Sequence, residues 1–198
     1  MTFALGITGG IGSGKSTACR ILEELGARVF YADVEARRLM ESDGGTREEV
    51  TAAFGLRSYL SDGSLDRKYL ADLVFGDPEH LSRLNAIIHP RVHRGFRFAH
   101  ERAVECGIPV LVHEAALIFE SGGNAHLDGV AVVVAPDQLR IQRVMERDGV
   151  TEEQVRSRMR HQWRPEELKR RADWVIDNAG SEGELRRQVQ AVYAAVTR

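Results

Sequence analysis

Cysteine is scarce in this 198-residue chain: Cys19 and Cys106 are the only two. They form no CxxC pair, which argues against a disulfide scaffold or a thiolate metal centre and predicts reduced thiols in packing roles. Net charge is equally sparse. The 27 lysines and arginines face 29 acidic residues, leaving −2 at neutral pH, so no general nucleic-acid or anionic-membrane surface is expected. No apolar run reaches the ~20 residues of a membrane span, since PVLVHEAALIF is broken by His113 and Glu114. The opening MTFALGITGG has neither a basic n-region nor a long apolar h-region, so it does not read as a signal peptide, and a cytoplasmic address is expected. Repeats and low-complexity segments are missing, and nothing in the sequence sets an oligomeric state.

What the chain does contain is an alternation of short apolar runs and helical stretches. FALGIT (3–8), ARVFYA (27–32), IPVLVHEA (108–115), GVAVVVA (129–135) and DWVID (173–177) read as buried strands of a parallel sheet covered by helices on both faces. KSTACRILEELG places Ala18, Ile21, Leu22 and Leu25 on one helical face and stops at Gly26. The class is therefore α/β. Residues 56–105 carry helical pieces without a strong strand. Residues 137–172 are helical, polar and rich in arginine, with a restart at Thr151 and Gln154 in capping-box spacing and another at Pro165. This predicts a core from 1–55, 106–136 and 173–198, a helical insertion at 56–105 and a lid at 137–172.

The segment GITGGIGSGKST (6–17) meets the pattern GxxxxGK[ST] with Gly9, Gly14, Lys15 and Ser16, after a strand and opening a helix. Glycines there let successive N–H groups turn inward around a phosphate, and the helix N-terminus adds its positive end. Gly10, Ile11, Gly12, Ser13, Gly14, Lys15, Ser16 and Thr17 are expected to hold a nucleoside triphosphate. Lys15 would reach the β- and γ-phosphates, and the Ser16 hydroxyl would ligate Mg²⁺. The plain alternative is a glycine-rich turn with no ligand. An Asn-Lys-x-Asp guanine-reading segment is missing. VIDNAG (175–180) places Asn178 after the last strand, either near a base or in an ordinary Asp-Asn-x-Gly turn.

Arg140, Arg143 and Arg147 share one helical face by spacing, and Arg156, Arg158, Arg160 and Arg164 follow. Singly, each suits a solvated face paired with Glu146, Glu152 or Glu153. As a group they suit a lid whose guanidinium forks cover a phosphoryl group in flight, with Arg143 first and Arg140 second. Asp33, at the end of the second strand, is either a general base for an attacking hydroxyl or the N-cap of the following helix. His89-Pro90 is read as the end of the helix LSRLNAIIHP, with Arg91 and Arg94 behind it. Glu114, closing the third strand, is a candidate for a Mg²⁺-bound water, and His113 is read as structural. Trp163, Trp174, Phe96 and Phe98 are read as core or lid packing.

Together these motifs resemble the dephospho-CoA kinase family, over roughly residues 3–180. The resemblance is carried by LGITGGIGSGKST, ADVEARRL, DGSLDRKYLADLVFGD, LNAIIHPRV, AALIFE, RVMERDGVT and ADWVIDNAG. It implies a P-loop kinase core with a five-stranded parallel sheet, a helical CoA-binding insertion and a lid. It also implies transfer of the ATP γ-phosphoryl to the ribose 3′-hydroxyl of dephospho-CoA. Under it, Asp33 is the base, Arg140 and Arg143 lie on the phosphates, His89 and Arg94 lie near the acceptor, and Asn178 lies by the adenine. The chain departs from the family's pattern at Tyr31, where the first acid of Asp-Ala-Asp is expected, at Ala116 in place of a proline, and at Glu114, where many members carry Asp. The residues alone also admit a P-loop kinase for another small hydroxyl acceptor, or a nucleotide-dependent switch.

Overall fold

The computed structural model describes residues 1–75 and 77–198. Gly76 and the side chain of Phe75, both in the DRKYLADLVFGD stretch, lie outside the described residues. The elements run β1 (Phe3–Thr8), α1 (Lys15–Glu24), β2 (Arg28–Tyr31), α2 (Ala32–Ser42), α3 (Gly44–Phe54), α4 (Arg67–Phe75), α5 (Pro78–Glu105), β3 (Val110–Glu114), β4 (Gly129–Val134), α6 (Asp137–Asp148), α7 (Glu152–Arg160), α8 (Pro165–Arg171), β5 (Trp174–Asp177) and α9 (Glu182–Val196). No helix among the described residues is long and apolar enough to cross a membrane.

All five strands are parallel, in the order β2-β3-β1-β4-β5. The three central strands are buried almost throughout, because helices cover both faces. The edge strands β2 and β5 are half-exposed, which corrects the expectation of burial for all five. The main core joins Leu5, Ile7, Val110, Val112, Ala131, Val133 and Ile176 to Ala18, Ile21 and Leu22 of α1 and Leu185 and Val189 of α9. Each large apolar side chain fully buried there contributes about 1.5–3 kcal/mol. After β1 the chain builds β2 and β3 to one side, then β4 and β5 to the other. A crevice therefore opens at the carboxyl end of β1, where an open α/β sheet takes its ligand.

The chain divides into two compact units, Met1–Tyr31 with Ala99–Arg198, and Ala32–Phe98. In the second, the DGSLDR motif has a visible structural role. Asp62 accepts from the Ser64 N–H and hydroxyl at 2.9 and 2.6 Å, and the Gly63 carbonyl accepts from Arg47 at 2.7 Å. Leu65 is buried and bridges to Tyr59. Asp66 caps α4 through the Tyr69 N–H at 2.9 Å, and Arg67 pairs with Glu41 at 2.7 Å.

The helix expected to end at His89-Pro90 does not end there: α5 continues through Pro90 to Glu105. Proline removes one N–H from the ladder. In this turn the Arg91 guanidinium donates to the Ile87 carbonyl at 2.8 Å while it pairs with Glu49 at 2.7 Å. Buried Ile87, Ile88, Val92 and Phe96 keep one face of the helix apolar across the proline. Two packing expectations also fail, since Cys106 and Phe98 are exposed. Cys19, Phe96 and Trp174 are packed as expected, the last edge-on to Phe3 with ring centroids 6.4 Å apart.

Candidate active site

The loop between β1 and α1 has the backbone its glycines predict. Gly12 and Gly14 hold φ of +76° and +99°, and Gly14 is the residue from which α1 starts. A side chain at Gly14 would overlap the Asn178 amide nitrogen, and one at Gly12 would overlap the Arg140 carbonyl oxygen. The loop is therefore glycine-rich for two reasons: left-handed torsions, and the close approach of other chain segments behind it.

Lys15, the first residue of α1, donates from Nζ to the Gly9 carbonyl at 2.8 Å and so arches over the loop. Ser16 is exposed on the first turn, and Thr17 follows half-exposed. Ser13 is buried, 1% exposed, and its hydroxyl has no hydrogen-bond partner within the protein. One guanidinium nitrogen of Arg143, Nη1, is buried in the same unpartnered state, while Nη2 donates to the Asn178 carbonyl at 3.2 Å. Buried polar groups are nearly always paired, so two orphans beside a loop of this shape point to an anionic ligand that completes them.

Arg140 behaves differently from Arg143. It is 5% exposed, its Nε donates to the Ile11 carbonyl at 2.9 Å, and its Nη1 pairs with Asp137 at 3.0 Å. Burial lowers its proton affinity and the Asp137 carboxylate opposes that. Its guanidinium thus braces the loop. Asn178 is also buried: its side-chain amide donates to the Ser13 carbonyl at 2.8 Å and its own N–H donates to Val134. Both residues reach the loop, through bonds to protein backbone and, for Arg140, to Asp137.

The other arginines of the series follow the solvated reading. Arg147 pairs with Asp148 at 2.7 Å, Arg156 with Glu152, and Arg158 with Asp148 at 3.4 Å. Helix α7 starts with the expected capping box between Thr151 and Gln154. Trp163 stacks on Phe119 with ring centroids 6.3 Å apart, and the Arg171 guanidinium lies 4.6 Å from the indole.

At the carboxyl ends of the strands, Tyr31 and Ile7 stand in register with Glu114. Burial, then the charges of Glu114 and Glu23, push the Cys19 thiol up, with Lys15 opposing. Burial chiefly pushes the Tyr31 phenol up to about 12, and its hydroxyl donates to Glu23 at 3.4 Å. His113 is buried and stacks on Phe30 at 5.7 Å. The exposed Ser16 hydroxyl and the Glu114 carboxylate are oxygen donors of the kind Mg²⁺ takes when phosphates supply its remaining ligands, so these residues fit the ion.

In the other unit, Asp33 is exposed in the first turn of α2, two residues beyond the end of β2. The helix already includes Ala32, so Asp33 lies inside it. His89 is half-buried in mid-helix, its ring centroid 6.3 Å from that of His93, and burial lowers its pKa. Arg94 is exposed on the same helix. Two residues around the loop escaped the sequence reading: Asp137, the partner of Arg140, and Gln162, which accepts from the Ile11 N–H at 2.9 Å. The i,i+3 spacing of Asp137 and Arg140 was a usable signal. Gln162 had none, because its role depends on tertiary contact.

Comparison with known proteins gives these features a family. The model of the dephospho-CoA kinase family matches residues 3–184. A dephospho-CoA kinase of Salinibacter ruber is 53% identical, the match covering 98% of this chain and 97% of that one. One of Chlorobium chlorochromatii is 42% identical over 96% and 91%. A Thermus thermophilus crystal structure, 40% identical, has a TM-score of 0.84 and is covered over 99% of its length by all of this chain. The dephospho-CoA kinase of Campylobacter jejuni, 28% identical, has a TM-score of 0.72, covering 100% of this chain and 98% of that one. A phosphate-shaped loop at the switch point of a 2-3-1-4-5 sheet, in a chain matched from end to end by these relatives, leads to one conclusion: the chain belongs to the dephospho-CoA kinase family.

Proposed function

We propose that this chain carries out the family's reaction as an ATP-dependent phosphotransferase, moving the γ-phosphoryl of ATP to the ribose 3′-hydroxyl of dephospho-CoA and so completing coenzyme A. The observation that carries the reading is the β1–α1 loop, whose left-handed glycines feed a helix N-terminus beside two buried, unpartnered polar groups, Ser13 Oγ and Arg143 Nη1. The triphosphate lies along Gly10–Thr17, with Lys15 exchanging its bond to Gly9 for the β- and γ-oxygens. Arg143 supplies its open nitrogen to the transferred group, and Arg140 keeps the loop in shape behind it. Asn178 holds the Ser13 segment on the adenine side.

Asp33 takes the proton of the 3′-hydroxyl as that oxygen bonds to the γ-phosphorus, and ADP leaves with the electrons of the broken P–O bond. Ser16, backed by Glu114, would hold Mg²⁺, which when bound draws charge from the β- and γ-oxygens. Residues 56–105 carry the acceptor site, with His89 and Arg94 toward the acceptor, and 137–172 form the lid that keeps water, a rival acceptor, away. The two unpaired thiols agree with a cytoplasmic address.

The test is product analysis. Purified protein with ATP, Mg²⁺ and dephospho-CoA is expected to yield coenzyme A and ADP in equal amounts, with no ADP formed when the acceptor is left out. Asp33→Asn is expected to bind ATP as the parent does while turnover collapses. Unmodified dephospho-CoA in the first experiment refutes the reaction; normal turnover in the second removes Asp33 from it.

A further inference from the structure

Ile11 is the one bulky apolar residue between Gly9 and Thr17. Its side chain packs against the small apolar cluster of α6 and α7, made of Ile141, Val144 and Val155 with Val150 and Met159. Both of its backbone polar groups are also held. The N–H donates to Gln162 Oε1 at 2.9 Å, and the carbonyl accepts from Arg140 Nε at 2.9 Å. One tie comes from α6 and the other from the segment just past α7. Glycines flank Ile11 on both sides, and these leave its two peptide planes free to turn unless something outside the loop holds them.

We infer that Gln162 is a positioning residue for phosphoryl transfer. It fixes the Ile11 peptide, and through it the aim of the backbone amides that follow from Gly12 onward. The inference rests on the reading of Gly10–Thr17 as the triphosphate cradle. Donors aimed in advance stabilise developing charge because they need no reorganisation when the reaction occurs. A loop of glycines cannot supply that rigidity alone. Gln162 supplies it from a segment that is distant in sequence and covalently continuous with α7, so the shape of the cradle follows the position of that helix. The acceptor oxygen of Gln162 is occupied by the loop, so the effect assigned to it here passes through the Ile11 peptide.

Gln162→Met keeps the length of the side chain and removes the acceptor. Steady-state kinetics are expected to show a rise of about tenfold in KM for ATP, the scale of one lost hydrogen bond that leaves a donor unsatisfied. KM for the acceptor should stay near its parental value, and the thermal midpoint should fall by only about 2–4 °C, the shift one lost hydrogen bond produces in a chain of this size. Hydrogen exchange should quicken at the amides of residues 10–14 and remain unchanged in α6 and α7. A side chain that merely packs would loosen the helices and leave KM for ATP alone. An unchanged KM for ATP overturns the inference, and so does a lower one, which would make Gln162 a competitor for the Ile11 amide. Failure of the parent protein to turn over removes the underlying reading as well, and is distinguished by being seen without any substitution.

Discussion

Gly10 separates two reasons for a glycine in a phosphate loop. Unlike Gly12 and Gly14, it does not hold a positive φ, so an alanine there meets no torsional penalty. Its obstacle is contact, chiefly with Arg140: an added Cβ would overlap Arg140 Nη2, lie 2.7 Å from Arg140 Cζ and 3.2 Å from Gln162 Oε1. A guanidinium at the end of a flexible chain normally swings aside at little cost. This one is 5% exposed and tied through Nε to Ile11 and through Nη1 to Asp137. Moving it sacrifices at least the buried bond to Ile11. A hydrogen bond to a charged group contributes about 1.5–3 kcal/mol, and overpacking a filled site costs about 1–3 kcal/mol. The Asp137 side chain is 61% exposed, so water replaces much of that second bond.

Gly10→Ala should therefore destabilise the protein by about 2 kcal/mol, a fall of roughly 4–8 °C in Tm for a chain of this size. The decisive assay is a double-mutant cycle in urea at unchanged m. With Arg140→Ala in place the overlap is gone and only a close contact with Gln162 Oε1 at 3.2 Å remains, so Gly10→Ala should then cost under about 1 kcal/mol, giving a coupling of about 1 kcal/mol or more. An equal cost in both backgrounds would refute the argument and return Gly10 to a purely conformational role.

Other outcomes follow from the same geometry. Arg143→Lys keeps the charge but cannot reach Asn178 and a phosphoryl group together; kcat should drop about tenfold or more while Tm holds, and an unchanged kcat removes Arg143 from the transferred group. Thr151→Ala deletes the capping box of α7 and should cost about 1 kcal/mol, read as a lower urea midpoint with faster exchange confined to α7. Burial places the folded-state pKa of His89 below its unfolded value of about 6.5. As pH falls through that window the unfolded chain takes up a proton that the native one refuses, so stability decreases toward acid and is flat above it. His89→Gln should flatten that slope; a slope unchanged by the substitution would exclude His89 as its source.

Much of the architecture could be read from local pattern. Five short apolar runs became five parallel strands, and the face of α1 is the one its spacing predicts, with Ala18, Ile21 and Leu22 buried. The capping box at Thr151 and the Pro165 start of α8 also lie where the sequence puts them. These features rest on interactions between residues a few positions apart, which periodicity and capping chemistry report directly. Pro90 shows the limit of local rules. A proline was expected to end a helix, yet the apolar face formed by Ile87, Ile88, Val92 and Phe96 continues across it and the helix continues too.

The roles of the arginines were a matter for tertiary structure alone. Arg140 and Arg143 are three residues apart on one helix, equal in charge and nearly equal in any pattern. Only the packing of α6 against the β1–α1 loop turns one toward Ile11 and Asp137 and leaves the other with a buried nitrogen to spare. The same holds for Gln162, 151 positions from the amide it accepts. The sequence by itself determined that a phosphate-binding loop follows the first strand, because its glycines, lysine and hydroxyl lie side by side. What holds that loop in shape was decided by the fold, because its braces come from segments that only folding brings to it.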